Sequence, residues 1–227
     1  VIEGRPLADV RERVSGQDMT RLARWTGAFL RRLHGLDLHG IDWERPTRYF
    51  EQTIRQTHGE LRSVLSERPA LPSHLLAQID EWLPPLEDLG ALDRSVLLHA
   101  DLHDGHVFLR DVGGHFQPTG VIDLNRARLG HRMYELGPIW SWLLRGDGVL
   151  MGHLLDEARF VERDRSDFPR IALTWCLLHQ GIAQAGVGIP DIDDVDTLEE
   201  LATRSFGQRR DEQGSADPEA ATRGAGP

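Results

Sequence analysis

The sequence predicts a mixed α+β fold that is mostly helical, with a few short strands in the middle of the chain. Apolar residues recur at spacings of three and four over residues 18–36, the stripe of an amphipathic helix. At Ser95 this periodicity gives way to short continuous apolar runs, which are typical of buried strands. Helical periodicity returns from Met133. A small group of strands is therefore expected, with helices before and after it in the chain.

Three helices are predicted before the strands. The first covers residues 18–36, and Ser15 or Asp18 can cap it. The second covers roughly residues 47–65 and the third roughly residues 73–82, because prolines bound both segments.

The strands are predicted at three apolar runs, residues 96–98, 107–109 and 119–122. The Gly113-Gly114 pair between the second and third runs indicates a hairpin turn. Polar loops are expected at the strand ends, where functional groups tend to lie.

After the strands, helical stretches are predicted at about residues 133–144, 149–161, 168–184 and 195–206. Trp140, Trp142 and Trp175 are expected in the core. From residue 207 to residue 227 there is no large apolar side chain, so this tail is expected to be disordered.

Composition excludes several classes of protein. With 40% hydrophobic and 27% charged residues, the chain is an ordinary globular one, and its apolar runs are too short for a membrane segment. All 26 basic residues are arginines, which excludes any mechanism that needs a lysine from this chain. The net charge of −10 argues against sequence-independent binding of nucleic acid and fits a cationic partner.

Cys176 is the single cysteine, so no internal disulfide forms and a reducing, cytoplasmic setting is favoured. The chain begins with Val1 and no signal segment follows, so it is expected to be part of a longer protein.

Ionisable residues are concentrated at two predicted strand ends. Residues 99–106, HADLHDGH, lie between two apolar runs, and Asp123 directly follows another. Because antiparallel neighbours place the end of one strand beside the start of the next, the two segments are expected to share a cleft. Paired carboxylates there suit a divalent cation and a base that activates a hydroxyl.

These segments resemble a known family. Residues 97–109, LLHADLHDGHVFL, and residues 120–123, GVID, are similar to the catalytic loop and metal-binding segment of aminoglycoside phosphotransferases and their choline-kinase-like relatives. Residues 2–7, IEGRPL, resemble the hinge between the two kinase lobes, and residues 33–36, LHGL, the end of the helix that follows it. The resemblance covers about residues 1–185.

The resemblance implies a protein-kinase-like C-terminal lobe over residues 1–206, with residues 1–7 hinge-like and an N-terminal lobe before Val1. It places Asp101 as the catalytic aspartate that orients the acceptor hydroxyl and Asp123 as a magnesium ligand. His106 stands where the family has a metal-binding asparagine, and is carried over as the second metal position. ATP or GTP and magnesium are the implied cofactors.

Two departures from the family pattern bear on activity. His106 offers nitrogen where the family offers oxygen, and nitrogen is a poor ligand for magnesium. Glu135 stands in place of an aspartate, and its longer side chain can still brace the catalytic loop. His99 is implied to hold backbone rather than to contact substrate.

The leading hypothesis is a phosphotransferase acting on a hydroxyl of a small molecule, an antibiotic or a metabolite, and inactive without the N-terminal lobe. One alternative is a non-catalytic pseudokinase or regulatory lobe. Another is a metal-dependent hydrolase in which His99, Asp101, His103 and His106 bind zinc or iron. The acidic residues Asp191, Asp193, Asp194 and Asp196 are interpreted as a solvated loop, with contact to a cationic substrate as the alternative.

Overall fold

The computed structural model describes residues 2–40, 44–67, 71–90 and 95–207. Helices before the second strand are α1 Leu7–Val10, α2 Gly16–His34, α3 Glu44–Gly59, α4 Leu61–Glu67, α5 Ser73–Leu76 and α6 Ile79–Trp82. The strands are β1 Arg5–Pro6, β2 Ser95–Leu98, β3 Val107–Val112, β4 His115–Val121 and β5 Arg128–His131. Helices after them are α7 Leu136–Pro138, α8 Gly148–Ala158, α9 Phe168–Leu177, α10 Gln180–Ala185 and α11 Leu198–Phe206. The mostly helical α+β prediction is thus confirmed. The tail predicted to be disordered lies, after Gly207, outside the described residues.

The first predicted helix is α2, and Ser15 caps it. The Ser15 hydroxyl accepts a hydrogen bond from the Asp18 N–H at 3.1 Å. Leu22 and Leu30 on one face are buried, and this face packs on α8. A Cβ on Gly27 would lie 2.3 Å from the Leu154 carbonyl oxygen. The two helices therefore lie too close together at this point for α2 to carry a side chain. The amphipathic stripe therefore predicted both the helix and its buried face.

Two long predicted helices are each split in the structure. The stretch predicted over residues 47–65 breaks between α3 and α4, directly after Gly59, a residue type that stabilises helices poorly. The stretch predicted over residues 168–184 breaks at His179, whose Nδ1 accepts from the Gly181 N–H at 3.0 Å and so caps α10. Hydrophobic periodicity continues across both breaks and could not reveal them.

Within the described ranges, five strands form two separate antiparallel sheets. The order of the first is β1-β3-β4, and its β3–β4 hairpin turns at the Gly113-Gly114 pair with φ of 63° and 86°, values that favour glycine. The second sheet pairs β2 with β5. The expectation from the sequence was that β2 lies with the hairpin strands. Strand β5 was not predicted, because four residues that include a glycine carry little strand signal.

The core holds Trp140 and Trp175 fully buried, as predicted, together with Cys176. The Trp175 Nε1–H donates to the Leu89 carbonyl and the Trp140 Nε1–H to the Ser205 hydroxyl. None of the helices in the described ranges has both the length and the apolar character needed to span a bilayer.

Candidate active site

The loop that follows β2 is held by one buried carboxylate. Glu135 accepts hydrogen bonds from two successive backbone N–H groups, His99 at 2.8 Å and Ala100 at 3.0 Å. The Glu135 side chain is fully buried, and Ala100 has a φ of 60°, in the left-handed region. Glu135 thus braces the loop, as the sequence analysis suggested for this longer acid.

His99 connects this loop to the end of β4. Its Nε2 lies 2.9 Å from the Ile122 carbonyl oxygen, and since a carbonyl only accepts, Nε2 carries the proton. The imidazole is fully buried. His99 therefore holds the backbone next to Asp123, in agreement with the role implied by the resemblance.

Asp101 follows at the rim of a cleft. Its side chain is 18% exposed, and its Oδ2 lies 3.4 Å from Arg126 Nε. Its backbone carbonyl accepts from the His103 N–H at 3.1 Å. The carboxylate is therefore accessible from the cleft and has a guanidinium beside it.

His106 lies between Asp101 and Asp123. Its Nδ1 donates to the Asp101 carbonyl at 2.7 Å, and its Nε2 lies 3.5 Å from Asp123 Oδ2. Asp123 has a φ of 64°, and its Oδ1 accepts from the Asn125 N–H. One imidazole ring thus joins the two segments, and the structure brings together all three residues that the sequence analysis assigned to the site.

The carboxylate oxygens of Asp101 and Asp123 are suitable ligands for magnesium. Asp123 is 40% exposed, so its carboxylate is available to a hard cation, and Asp101 offers a second carboxylate on the other side of His106. Imidazole nitrogen is a poor magnesium ligand, so the observed contacts of His106 suit a spacer that fixes both segments.

Three of the four residues in the hydrolase alternative also come together. Asp101, His103 and His106 each offer a ligand atom, and these atoms lie within 4.8 Å of one another. His99 stays apart, because its Nε2 is used by the Ile122 carbonyl. The Nδ1 of His103 accepts from the Gly105 N–H at 3.0 Å, so that nitrogen is occupied within the loop.

Beside Asp101 the cleft widens into a cavity of about 550 Å³, called here the acceptor pocket. Its lining is formed by Asp101, His103, Asp104, Arg126, Trp142, Arg145, Gly181, Gln184, Ala185 and Gly188. Trp142, predicted as core, is only partly buried and forms one wall. Arg126 and Arg145 were not predicted from the sequence, because nothing in their spacing distinguishes them from other surface arginines.

Asp104 is a partly buried carboxylate among cations. Arg11 Nη2 lies 3.4 Å and Arg145 Nη2 3.6 Å from its Oδ2. Burial would raise the pKa of Asp104, but the nearby His103 imidazole and these two guanidinium groups outweigh it and hold the pKa below its usual range. Asp104 is therefore ionised and fully neutralised.

The late acidic residues lie elsewhere. Asp191 lines a neighbouring cavity of about 380 Å³ together with Arg145 and Arg204. Asp193 and Asp194 are exposed in the short helical turn Ile192–Asp194. Their contact with a substrate stays a hypothesis.

Comparisons with known proteins bear on the family and the fold. A family model described as the phosphotransferase enzyme family, APH, matches residues 1–170. The GDP complex of wild-type aminoglycoside 2'-phosphotransferase-IIIa is similar with a TM-score of 0.58 at 16% identity, covering 91% of this chain and 70% of that chain. The GDP complex of a mutant of that enzyme gives 0.57 at 17% identity, covering 91% and 69%. At these identities the likeness shows the fold, and the predicted kinase-like fold is confirmed.

Proposed function

The chain belongs to the phosphotransferase enzyme family, and we propose that it transfers the terminal phosphoryl group of a nucleoside triphosphate, ATP or GTP, to a hydroxyl of a small molecule. In this proposal residues 1–206 act as the C-terminal lobe of a kinase-like enzyme, with residues 1–7 as the hinge. Asp101 is the catalytic residue, and Asp123 holds magnesium.

The observation that carries the proposal is the His106 bridge. It holds the Asp101 loop 2.7 Å from one imidazole nitrogen and the Asp123 carboxylate 3.5 Å from the other. An Asp101 carboxylate oxygen also lies within 4.8 Å of a nitrogen of the His106 ring. A base and a metal ligand on either side of one ring suit phosphoryl transfer, because this chemistry depends mainly on positioning and charge neutralisation.

The residues of the chain divide the work. The Asp101 carboxylate orients the acceptor hydroxyl and accepts its proton while the oxygen bonds to the terminal phosphorus and the bond to the leaving nucleoside diphosphate breaks. Arg126, 3.4 Å from Asp101, is placed to neutralise charge on the transferring group. Magnesium held by Asp123, when bound, would neutralise phosphate oxygens.

The brace around the loop supports catalysis over the non-catalytic alternative. A buried carboxylate with two backbone hydrogen bonds fixes the loop although the family's aspartate is replaced, and His106 maintains the contact between segments although the family's asparagine is replaced. At both positions that differ from the family pattern, the residue present therefore makes contacts that hold the loop.

The test is phosphate transfer from γ-labelled ATP and GTP by the full-length protein, over a panel of hydroxyl compounds that includes aminoglycosides and hydroxy acids. We expect Asp101→Asn to lower turnover by about 10²- to 10⁴-fold with nucleotide affinity retained. Asp123→Asn should lower magnesium-dependent nucleotide affinity as well.

Nucleotide binding without transfer to any compound would indicate the regulatory lobe. Tightly bound, stoichiometric zinc in the purified protein would instead indicate the hydrolase.

A further inference from the structure

The charges that line the acceptor pocket balance, with two carboxylates and two guanidinium groups, although the chain as a whole has a net charge of −10. Its two carboxylates are Asp101 and Asp104. Three guanidinium groups contact them, Arg126 on Asp101 and both Arg11 and Arg145 on Asp104. Counting Arg11, which does not line the pocket, three guanidinium groups therefore offset the two carboxylates.

The two carboxylates are already engaged, so a cationic ligand would have to compete with arginines for them. Arg11 is held in place, since its Nη2 also donates to the Trp142 and Leu143 carbonyls at 3.1 and 2.7 Å. Displacing such a group leaves buried polar atoms without partners, which is costly. The pocket is consequently a poor site for an acceptor with several amines.

Arg126 and Arg145 differ from Arg11, because each keeps about half of its side chain accessible. Their side chains are 51% and 46% exposed, against 17% for Arg11, and both line the pocket. Their remaining N–H groups can donate to an anion without leaving Asp101 or Asp104, since a guanidinium has five donors.

The backbone at Arg145 is a second, independent observation. Arg145 has a φ of 52° and Gly146 a φ of 75°, so two successive residues are in the left-handed region. A non-glycine residue in this conformation is strained, and such strain is concentrated at functional sites. Here it points a long cation at the pocket.

We propose that the acceptor is a hydroxyl compound that carries an anionic group, a carboxylate or a phosphate, which Arg145 binds in the acceptor pocket. This rests on the proposed phosphotransferase function and names the substrate class of the same site. The relatives described above are named for aminoglycosides, whereas this pocket selects against such polyamines. Trp142 supplies an apolar wall, and the volume of about 550 Å³ admits a monosaccharide-sized compound.

The test uses three sugars that differ only in the group on the sixth carbon, namely D-glucuronate, D-glucose and 6-amino-6-deoxy-D-glucose. Their binding to the purified full chain, without nucleotide and at low ionic strength, is measured by calorimetry. We expect glucuronate to bind about tenfold or more tightly than the amino sugar, with glucose between them.

Arg145 variants identify the group responsible. Arg145→Gln should reduce the preference for glucuronate at least about fivefold, and Arg145→Lys should retain most of it, because the charge remains. Arg165→Gln is the matched control, since Arg165 is 48% exposed and also paired with an aspartate, Asp167. It should leave the preference unchanged.

Three results would overturn the proposal: equal or tighter binding of the amino sugar, a preference that Arg145→Gln leaves intact, or no measurable binding of glucuronate at millimolar concentration. No nucleotide is present and no phosphate is transferred in this assay. Its failure therefore counts against the acceptor class alone, whereas absence of labelled transfer counts against the phosphotransferase function.

Discussion

Glu135 and Ala100 show how one residue can determine the shape of a catalytic loop. Ala100 has a φ of 60°, a conformation that costs a residue with a Cβ about 1–2 kcal/mol. The Glu135 carboxylate accepts from the N–H of Ala100 and of its neighbour His99, and these charge-assisted hydrogen bonds offset that cost. The position of Asp101 therefore depends on a residue 34 positions later in the sequence.

Glu135→Gln should damage both stability and turnover. A glutamine has one acceptor oxygen, so one of the two backbone N–H groups would face an amide NH₂ and lose its partner. We expect the free energy of unfolding to fall by about 1–3 kcal/mol, measured by urea denaturation, and turnover to fall with it. Glu162→Gln, which alters the partly exposed ion pair with Arg132, should cost less than about 1 kcal/mol. Equal losses in the two variants would show that the two backbone hydrogen bonds of Glu135 add no more stability than an exposed ion pair does.

His106→Asn tests how the bridge works. An asparagine amide can donate to the Asp101 carbonyl as His106 Nδ1 does, and its carbonyl oxygen is a better magnesium ligand than imidazole nitrogen. Turnover of the full-length protein should be preserved or raised, with tighter magnesium-dependent nucleotide binding. If His106→Asn abolishes turnover while Asp123→Ala is harmless, the histidine is the metal ligand and the magnesium site is wrong.

At the scale of elements, the contact between α2 and α8 depends on a missing side chain. Gly27→Ala would put a methyl group 2.3 Å from the Leu154 carbonyl, a backbone atom that cannot rotate away. We expect the free energy of unfolding to fall by about 1–3 kcal/mol, because the helices must separate. Gly16→Ala is the control in the same helix, since a Cβ there meets nothing within 4 Å. Both variants can be compared by thermal denaturation, and similar midpoints would contradict this account of the contact.

The sequence could predict elements whose signal is local. Helix α2 and the β3–β4 hairpin were predicted, because an apolar stripe and a glycine pair each lie within one short segment of the sequence. The pairing of β2 with β5 could not be predicted, because it depends on which strands meet in space. The site divides in the same way. The motif identified Asp101, Asp123 and His106, whereas the roles of Arg126 and Arg145 come only from their tertiary positions.

At the scale of the whole molecule, the net charge differs from the charge balance of the pocket beside Asp101. The chain carries −10, and this suggested a cationic partner. In the structure the two carboxylates that line the pocket, Asp101 and Asp104, are paired with arginines, so the charges of the lining balance although the chain is acidic. Electrostatic effects at a site follow the nearest groups, because solvent and salt screen distant ones.

Two buried histidines make the stability of the whole molecule depend on pH. Burial lowers the pKa of His131 to about 4 and that of His179 to about 3, from an ordinary value of 6.5. His131 stacks on Trp175 at 4.6 Å between ring centroids, and His179 Nε2 lies 3.2 Å from the Ala100 carbonyl. Both are neutral in the folded chain near neutral pH.

Stability should therefore fall as the pH drops below about 6.5. Because the folded-state pKa values are depressed, the unfolded chain takes up protons first, and the stabilisation present above pH 6.5 is lost towards pH 4. For each histidine the loss between pH 8 and pH 5 is about 2 kcal/mol. His131→Asn should remove about half of this combined loss, although weaker stacking on Trp175 lowers its stability at every pH. Urea denaturation across this range measures the slope. The control is His39→Asn, because that side chain is 98% exposed, and it should leave the change of unfolding free energy with pH unaltered. If His131→Asn also leaves it unaltered, His131 is not the group that titrates.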